Sequence, residues 1–131
     1  MFRYEEILKI KHYAAGGTGS GNSSSDPAAL VSGDIMPISS DSVIVGVDVI
    51  IKTIVTGSSP QINVGDDDDA DGYAADANVT EGTLGVYTGA GDYVASGAKK
   101  YYAAAGKEVK LALGGTLSAG AFSVVVKGYR I

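Results

Sequence analysis

Cysteine and tryptophan are absent from this chain, and histidine occurs once. The lack of cysteine excludes disulfides, thiol catalysis and cysteine-ligated zinc sites. The single histidine, His12, lies far along the sequence from any Ser-x-Gly turn, which argues against a hydrolase of the Ser–His–Asp type. We therefore expect that the protein is not an enzyme and that it uses no cofactor.

Large aromatic residues and basic charge are also scarce. The chain has two Phe and 19 Gly, and its formal net charge is −5. An acidic chain without a basic stripe argues against nucleic acid as a partner. The longest apolar run, residues 43–55, is interrupted by Asp48 and Lys52. We therefore expect no membrane-spanning helix, and the charged N-terminus does not resemble a signal peptide.

Residues 1–34 are predicted to form an N-terminal arm. Their first part has four apolar positions, Ile7, Leu8, Ile10 and Tyr13, which suit one face of a helix, while Leu8 and Ile10 also alternate as in a strand. The spacing of these apolar residues therefore does not distinguish a helix from a strand. Residues 14–27, AAGGTGSGNSSSDP, have the composition of a flexible linker.

Residues 35–131 are predicted to form an all-β domain. Val43, Val45, Val47 and Val49 alternate with other residues, and this spacing of β-branched side chains is typical of a strand. Three further runs, QINVG, EVKLALGG and AFSVVVKGYRI, show the same period between Gly-rich turns. Short strands with frequent turns indicate an antiparallel β-sandwich or barrel.

The stretch INVGDDDDADGYAADANV, residues 62–79, places five carboxylates in six positions. Asp67, Asp69 and Asp71, followed by Gly72, match the opening of a calcium loop of the EF-hand type. Asn78 occupies the position that needs a bidentate glutamate, and the preceding QINVG is predicted to be a strand. These three aspartates are therefore weak metal candidates, and an exposed acidic turn is the favoured interpretation.

Tyrosine is the main aromatic residue after position 70. Clustered tyrosines can form a surface that binds sugars or a partner protein. The favoured interpretation is that they cover the ends of a β-sandwich, with the rings inside and the hydroxyls in solvent. The positions concerned are Tyr73, Tyr87, Tyr93, Tyr101, Tyr102 and Tyr129.

Several of these segments together resemble a known group of proteins. The segments are VIIKTIVTGSSPQINVGDDDDADGY, GVYT, KKYYAAAGKEVKLALGG and LSAGAFSVVVKGYRI. Over residues 43–131 the chain is similar to small β-rich virion proteins of tailed bacteriophages, most of all to capsid decoration, or cement, proteins. The resemblance implies a jelly-roll-like sandwich that binds the major capsid protein and lies on the capsid surface after synthesis in the host cytoplasm. It also implies a homo-oligomer, a trimer or a dimer, of which the trimer is favoured.

Two attachment surfaces follow from this interpretation. The arm would lie across a neighbouring subunit and contact it through Phe2, Tyr4, Ile7, Leu8, Ile10 and Tyr13. On the long strand, Ile44, Ile50 and Ile54 are predicted to lie opposite the valine face and to contact another copy. The alternative function is a phage fibre or receptor-binding module that recognises host glycans through its tyrosine-rich loops.

Overall fold

The protein is mostly β-structure, with 56% of its residues in strands and 6% in helices. A computed structural model describes residues 6–95, 99–103 and 109–131. The strands are β1 (Glu6–Ala14), β2 (Ile35–Met36), β3 (Ser42–Gly65), β4 (Gly85–Thr88), β5 (Lys100–Tyr102) and β6 (Val109–Arg130). A 3₁₀ turn, Asp76–Asn78, and one short helix, α1 (Asp92–Ala95), lie in the connection between β3 and β6.

All six strands belong to one antiparallel sheet with the central order β1-β6-β3-β4. β3 and β6 pair along their whole length, from Ser42 with Arg130 to Gly65 with Lys110. β4 and β5 both pair with the other edge of β3, and β2 pairs with the start of β6. The predicted all-β class is therefore confirmed, whereas the jelly-roll arrangement stays a prediction. No helix of the described residues is long and apolar enough to cross a membrane.

The core is built from one face of each long strand. Val47, Val49 and Ile51 of β3 meet Phe122, Val124 and Val126 of β6 in register, and all six side chains are buried. Residues from the far halves of the same strands, Ile62, Val64, Val109 and Leu111, join the same cluster. Small β-branched side chains thus fill much of the interior, as the alternation in the sequence predicts.

The expected arm is wrong for the residues that the structure describes. Glu6–Ala14 is a strand of the sheet, paired with residues 121–128 of β6, and Tyr13 is 1% exposed in the core. Its ring stacks on Phe122, with 5.3 Å between the ring centroids, and its hydroxyl donates to Asp34. A long antiparallel pairing satisfies backbone groups that an arm would leave to solvent. Phe2 and Tyr4 lie outside the described residues.

The Gly/Ser-rich segment is also folded rather than a free linker. It returns along the outer edge of β1, where the His12 amide donates to Gly21 and the Ala28 amide donates to the His12 carbonyl. Gly21 has φ +81, and a Cβ there would lie 2.8 Å from the Lys11 side chain. Small residues are needed here because the segment lies close against β1. Composition alone does not distinguish this use of Gly and Ser from a flexible linker.

A β-bulge changes the face on which Ile44 lies. The pairing of β3 with β6 shifts between Ile44 and Gly46, so the simple alternation from Ile44 to Ile50 is broken. Ile44 is consequently 1% exposed and belongs to the core cluster. The prediction that Ile44 contacts another copy is wrong, because a bulge inserts one residue and reverses the facing of side chains beyond it. Ile50 is half-buried, and Ile54 is exposed.

The anchoring of β1 can be measured. Tyr13→Ala should lower the free energy of unfolding by about 3–5 kcal/mol, because it removes a fully buried aromatic ring. Ile7→Ala, in the same strand but exposed, should change it by less than about 1 kcal/mol. Urea denaturation measures both values. Equal and small effects would mean that β1 behaves as the detachable arm expected from composition.

Candidate functional site

Asp66, the first carboxylate of the stretch 62–79, is buried, and its side chain is completely shielded from solvent. It continues the alternation of the core positions Ile62 and Val64 at the end of β3. This period-2 spacing is the sequence signal that distinguishes Asp66 from the exposed carboxylates after it. The calcium-loop motif begins one residue later, at Asp67, and therefore does not include Asp66.

Two tyrosines donate to the Asp66 carboxylate. The Tyr93 hydroxyl lies 2.7 Å from Oδ1, and the Tyr102 hydroxyl lies 2.7 Å from Oδ2. Tyr73 donates in turn to Tyr102, with 2.7 Å between the two hydroxyl oxygens. These three hydroxyls point inward, so the idea that the rings are inside and the hydroxyls are in solvent is wrong for this cluster. Burial raises the pKa of each tyrosine, so all three remain neutral donors.

Backbone and lysine contacts complete the environment of Asp66. The amides of Asp68 and Asp69 donate to Oδ1, and Lys100 Nζ lies 3.6 Å from Oδ2. Burial alone would raise the pKa of Asp66. The hydrogen bonds from Tyr102, Tyr93 and the Asp69 amide, together with the charge of Lys100, outweigh burial and hold that pKa below its usual value. Asp66 is therefore an ionised structural carboxylate that folds the acidic turn around itself.

The structure brings the carboxyl groups of Asp69 and Asp71 together but leaves Asp67 apart from them. Asp67 forms an ion pair with Lys110, while Asp69 accepts a hydrogen bond from the Asp71 amide. Among residues 6–95, 99–103 and 109–131 no three acidic or histidine side chains form a group that could hold a metal ion. Gly72 lies under the Tyr93 ring, where a Cβ would come within 2.5 Å of it. Packing against the Tyr93 ring therefore explains the glycine at position 72 without a calcium loop.

The sheet face opposite the core carries a mixed polar and apolar surface, which we call the outer patch. It consists of two cross-strand rows, each running from β1 through β6 and β3 to β4. Residues directly opposite each other in such rows share a face of the sheet. The rows are Ile10, Val125, Asp48 and Thr88, and beside them His12, Ser123, Ile50 and Val86.

Apolar side chains at both ends of the outer patch reach solvent. Val86 is 64% exposed, and Ile10 and Ile50 are half-buried. Ile7, also exposed, lies next to the patch, opposite Lys127 of β6. Of the predicted partner-binding residues, the structure therefore brings Ile10 and Ile50 together. Ile54 is exposed at another place on β3. Leu8 of β1 is partly buried and packs against the core.

The polar side chains of the outer patch contact two lysines that lie beside its rows, Lys127 and Lys52. Lys127 Nζ lies 3.3 Å from Asp48 Oδ2, while Asp48 Oδ1 is buried and has no hydrogen-bond partner among the described residues. His12 Nδ1 lies 2.6 Å from Ser123 Oγ and 3.2 Å from Lys52 Nζ. The sequence separates these residues widely, so only the pairing of β1, β6 and β3 reveals the cluster.

The His12–Ser123 contact has the distance of a nucleophile and its base, but its surroundings do not suit catalysis. Ser123 is 2% exposed, so a substrate has no access to its hydroxyl. The charged group beside the imidazole is Lys52 rather than a carboxylate that would orient the ring and stabilise its charged form. Burial and the charge of Lys52 lower the pKa of His12. The cluster is therefore a neutral imidazole held beside a cation.

Comparison with known proteins gives no relative for this chain: no protein-family model, no curated protein and no solved structure matches it. The function is consequently argued from the fold and from the two clusters described above.

The Asp66 cluster predicts a specific stability profile. Asp66→Asn should destabilise the protein by roughly 3 kcal/mol, because it removes a charged acceptor from buried donors. Asp68→Asn, at an exposed position, should cost less than about 1 kcal/mol. Since the native pKa of Asp66 is lowered, its contribution should be complete above about pH 4 and be lost as the pH falls through the native value. Urea denaturation between neutral and acidic pH measures this; a pH profile shared by wild type and Asp66→Asn would contradict it.

His12 predicts a second pH effect. Because its native pKa is lowered, its contribution to stability should be complete above about pH 6.5 and be lost as the pH falls through the native pKa. Lys52→Met should move the pKa of His12 upward, since it removes the neighbouring cation. The single histidine gives one imidazole signal, so NMR titration measures this directly. An unchanged pKa in Lys52→Met would show that burial alone sets it.

Proposed function

We propose that this chain is a structural virion protein that binds an assembled phage capsid and stabilises it as a decoration protein. The support from sequence is the resemblance of residues 43–131 to such proteins. The observation that carries the proposal is the outer patch, a sheet face on which exposed apolar side chains flank buried polar ones. A ligand that binds only the assembled shell stabilises that shell by mass action.

The outer patch replaces the arm as the attachment surface in this proposal. Residues 6–14 are held in the sheet, so they cannot extend across a neighbouring subunit without breaking their pairing with β6. The same strand contributes Ile7 and Ile10 to the outer face instead. Apolar area removed from water contributes about 25 cal/mol per Å², so a flat face of this kind can provide useful binding energy.

Association with further copies remains part of the proposal. Ile54 is 46% exposed on β3 and is available to another copy, most simply in a trimer with closed cyclic symmetry. Repeated copies on a capsid increase the total effect, because each bound subunit adds its own contacts and holds its neighbours near the shell.

The alternative, a fibre module that binds host glycans, has weaker support. It needs tyrosine rings and hydroxyls that face solvent. The hydroxyls of Tyr73, Tyr93 and Tyr102 are committed to each other and to Asp66. Tyr101 is half exposed, but its hydroxyl donates to Asp41. The tyrosines therefore stabilise the fold more clearly than they offer a sugar-binding surface.

A matched pair of variants tests the attachment surface. Val86→Asp places a charge on the outer patch, and Val31→Asp places the same charge at a similarly exposed valine outside it. Val86→Asp should weaken binding at least about tenfold, since a charge is desolvated in the contact. Val31→Asp should bind as wild type does. Co-sedimentation with capsids of the phage that encodes the chain measures both, and circular dichroism confirms that both variants are folded.

Three results would contradict the proposal. Equal binding by both variants and wild type would place the attachment surface elsewhere. Absence of wild-type binding to capsids would remove the decoration function. Binding of the wild type to host cells instead, with loss in Tyr101→Ala, would favour the glycan-binding alternative.

A further inference from the structure

Two paired lysines of the sheet, Lys9 and Lys52, have no carboxylate of the described residues within 4 Å. Lys9 donates to the neutral amide oxygen of Asn22, whereas Lys52 lies beside an imidazole that can itself become positive. Lys11, Lys100, Lys110 and Lys127 each lie within 4 Å of a carboxylate. Within the described part of the chain, the polar contact of Lys52 is the imidazole of His12, at 3.2 Å, and no carboxylate lies within 4 Å of its Nζ. An ammonium group beside a base that can itself become positive lacks the counter-charge that its neighbours have.

The atoms around His12 also provide more donors than acceptors. Neutral imidazole has one acceptor nitrogen. Lys52 Nζ and Ser123 Oγ both lie within hydrogen-bond distance of Nδ1, so one lone pair faces two groups that can donate. A carboxylate placed above the cluster would accept from Lys52 and from a protonated His12, and it would supply the missing negative charge.

The setting favours a carboxylate of a protein over a phosphate of nucleic acid. His12 and Ser123 lie in the same cross-strand row as Ile50 and Val86, so a ligand of the cluster must tolerate apolar neighbours. Asp48 lies in the adjacent row, where it is paired with Lys127, and the chain as a whole carries a formal charge of −5. A polyanion would be repelled by this charge, whereas one acidic side chain flanked by apolar residues fits both parts of the patch.

We propose that Lys52 and His12 form the polar anchor of the outer patch, which binds an aspartate or glutamate side chain of the docked protein, while the buried Ser123 holds the imidazole in place. This inference rests on the proposed docking function, and it specifies the chemistry of the partner. The apolar rows provide contact area, and the anchor fixes the position and orientation of the partner on the sheet.

Acetate and inorganic phosphate are the probes for the isolated, full-length protein. The imidazole signal of His12 is followed by NMR during titration with sodium acetate at constant ionic strength, with sodium chloride as the reference. Acetate should shift the signal in a saturable manner and raise the pKa of His12. Lys52→Met should abolish both effects. Lys9→Met is the control, because it removes a lysine that contacts Asn22 rather than His12, and it should retain both effects.

Other outcomes of this titration overturn the inference. A response no larger than that to chloride, or one that persists in Lys52→Met, would show that no such anion site exists. Saturation by phosphate at concentrations at least about tenfold lower than acetate would assign the site to phosphate groups rather than carboxylates.

Capsid binding separates this inference from the proposed function. Lys52→Met should bind capsids at least about tenfold more weakly than wild type, because a charge pair within a contact is lost. If wild type and Lys52→Met bind equally, the anchor is wrong while the decoration function stands. If wild type does not bind capsids but acetate still saturates His12, the decoration function fails and the carboxylate site stands.

Discussion

The antiparallel pairing of β3 with β6 is the interaction on which the rest of the structure depends. The two strands are far apart in sequence, and their pairing encloses the whole segment from residue 66 to residue 108. Every other strand attaches to one of them: β1 and β2 to β6, and β4 and β5 to β3. Closing such a long segment costs chain entropy before its contacts form. Cross-strand hydrogen bonds and a core rich in Val, Ile and Leu side chains offset that cost.

Asp66 holds together several parts of the segment between β3 and β6 through hydrogen bonds. The connection after β3 is acidic and rich in turns, and Tyr73, Ala74 and Val79 pack it into the core. A buried carboxylate adds a polar centre, because it accepts from Tyr93 of α1, from Tyr102 of β5 and from the amides of its own turn. Burial of an isolated charge would be unfavourable, but several donors and Lys100 compensate for it. The acidic run is therefore a structural turn built around its first residue.

The function proposed for the outer patch depends on the same strand pairing. β1 brings His12 beside Ser123 of β6 and within reach of Lys52 of β3, while Val86 at the edge strand β4 stays exposed. Neither the charge cluster nor the apolar row exists in any single strand. A docked partner would therefore recognise a surface that forms only after β1 has joined the sheet, and attachment would depend on correct folding of the N-terminal region.

The sequence by itself determined the all-β class and most of the core, because period-2 alternation of Val, Ile and Leu records which side chains point inward. Only the tertiary structure decided the rest. A bulge after Ile44 buried a residue that simple alternation places outside. Composition predicts an arm where the structure has a strand anchored by Tyr13, because Gly and Ser occur both in flexible linkers and where backbones approach closely. The contacts of Asp66 and His12 join positions far apart in sequence, and no local pattern encodes such pairings.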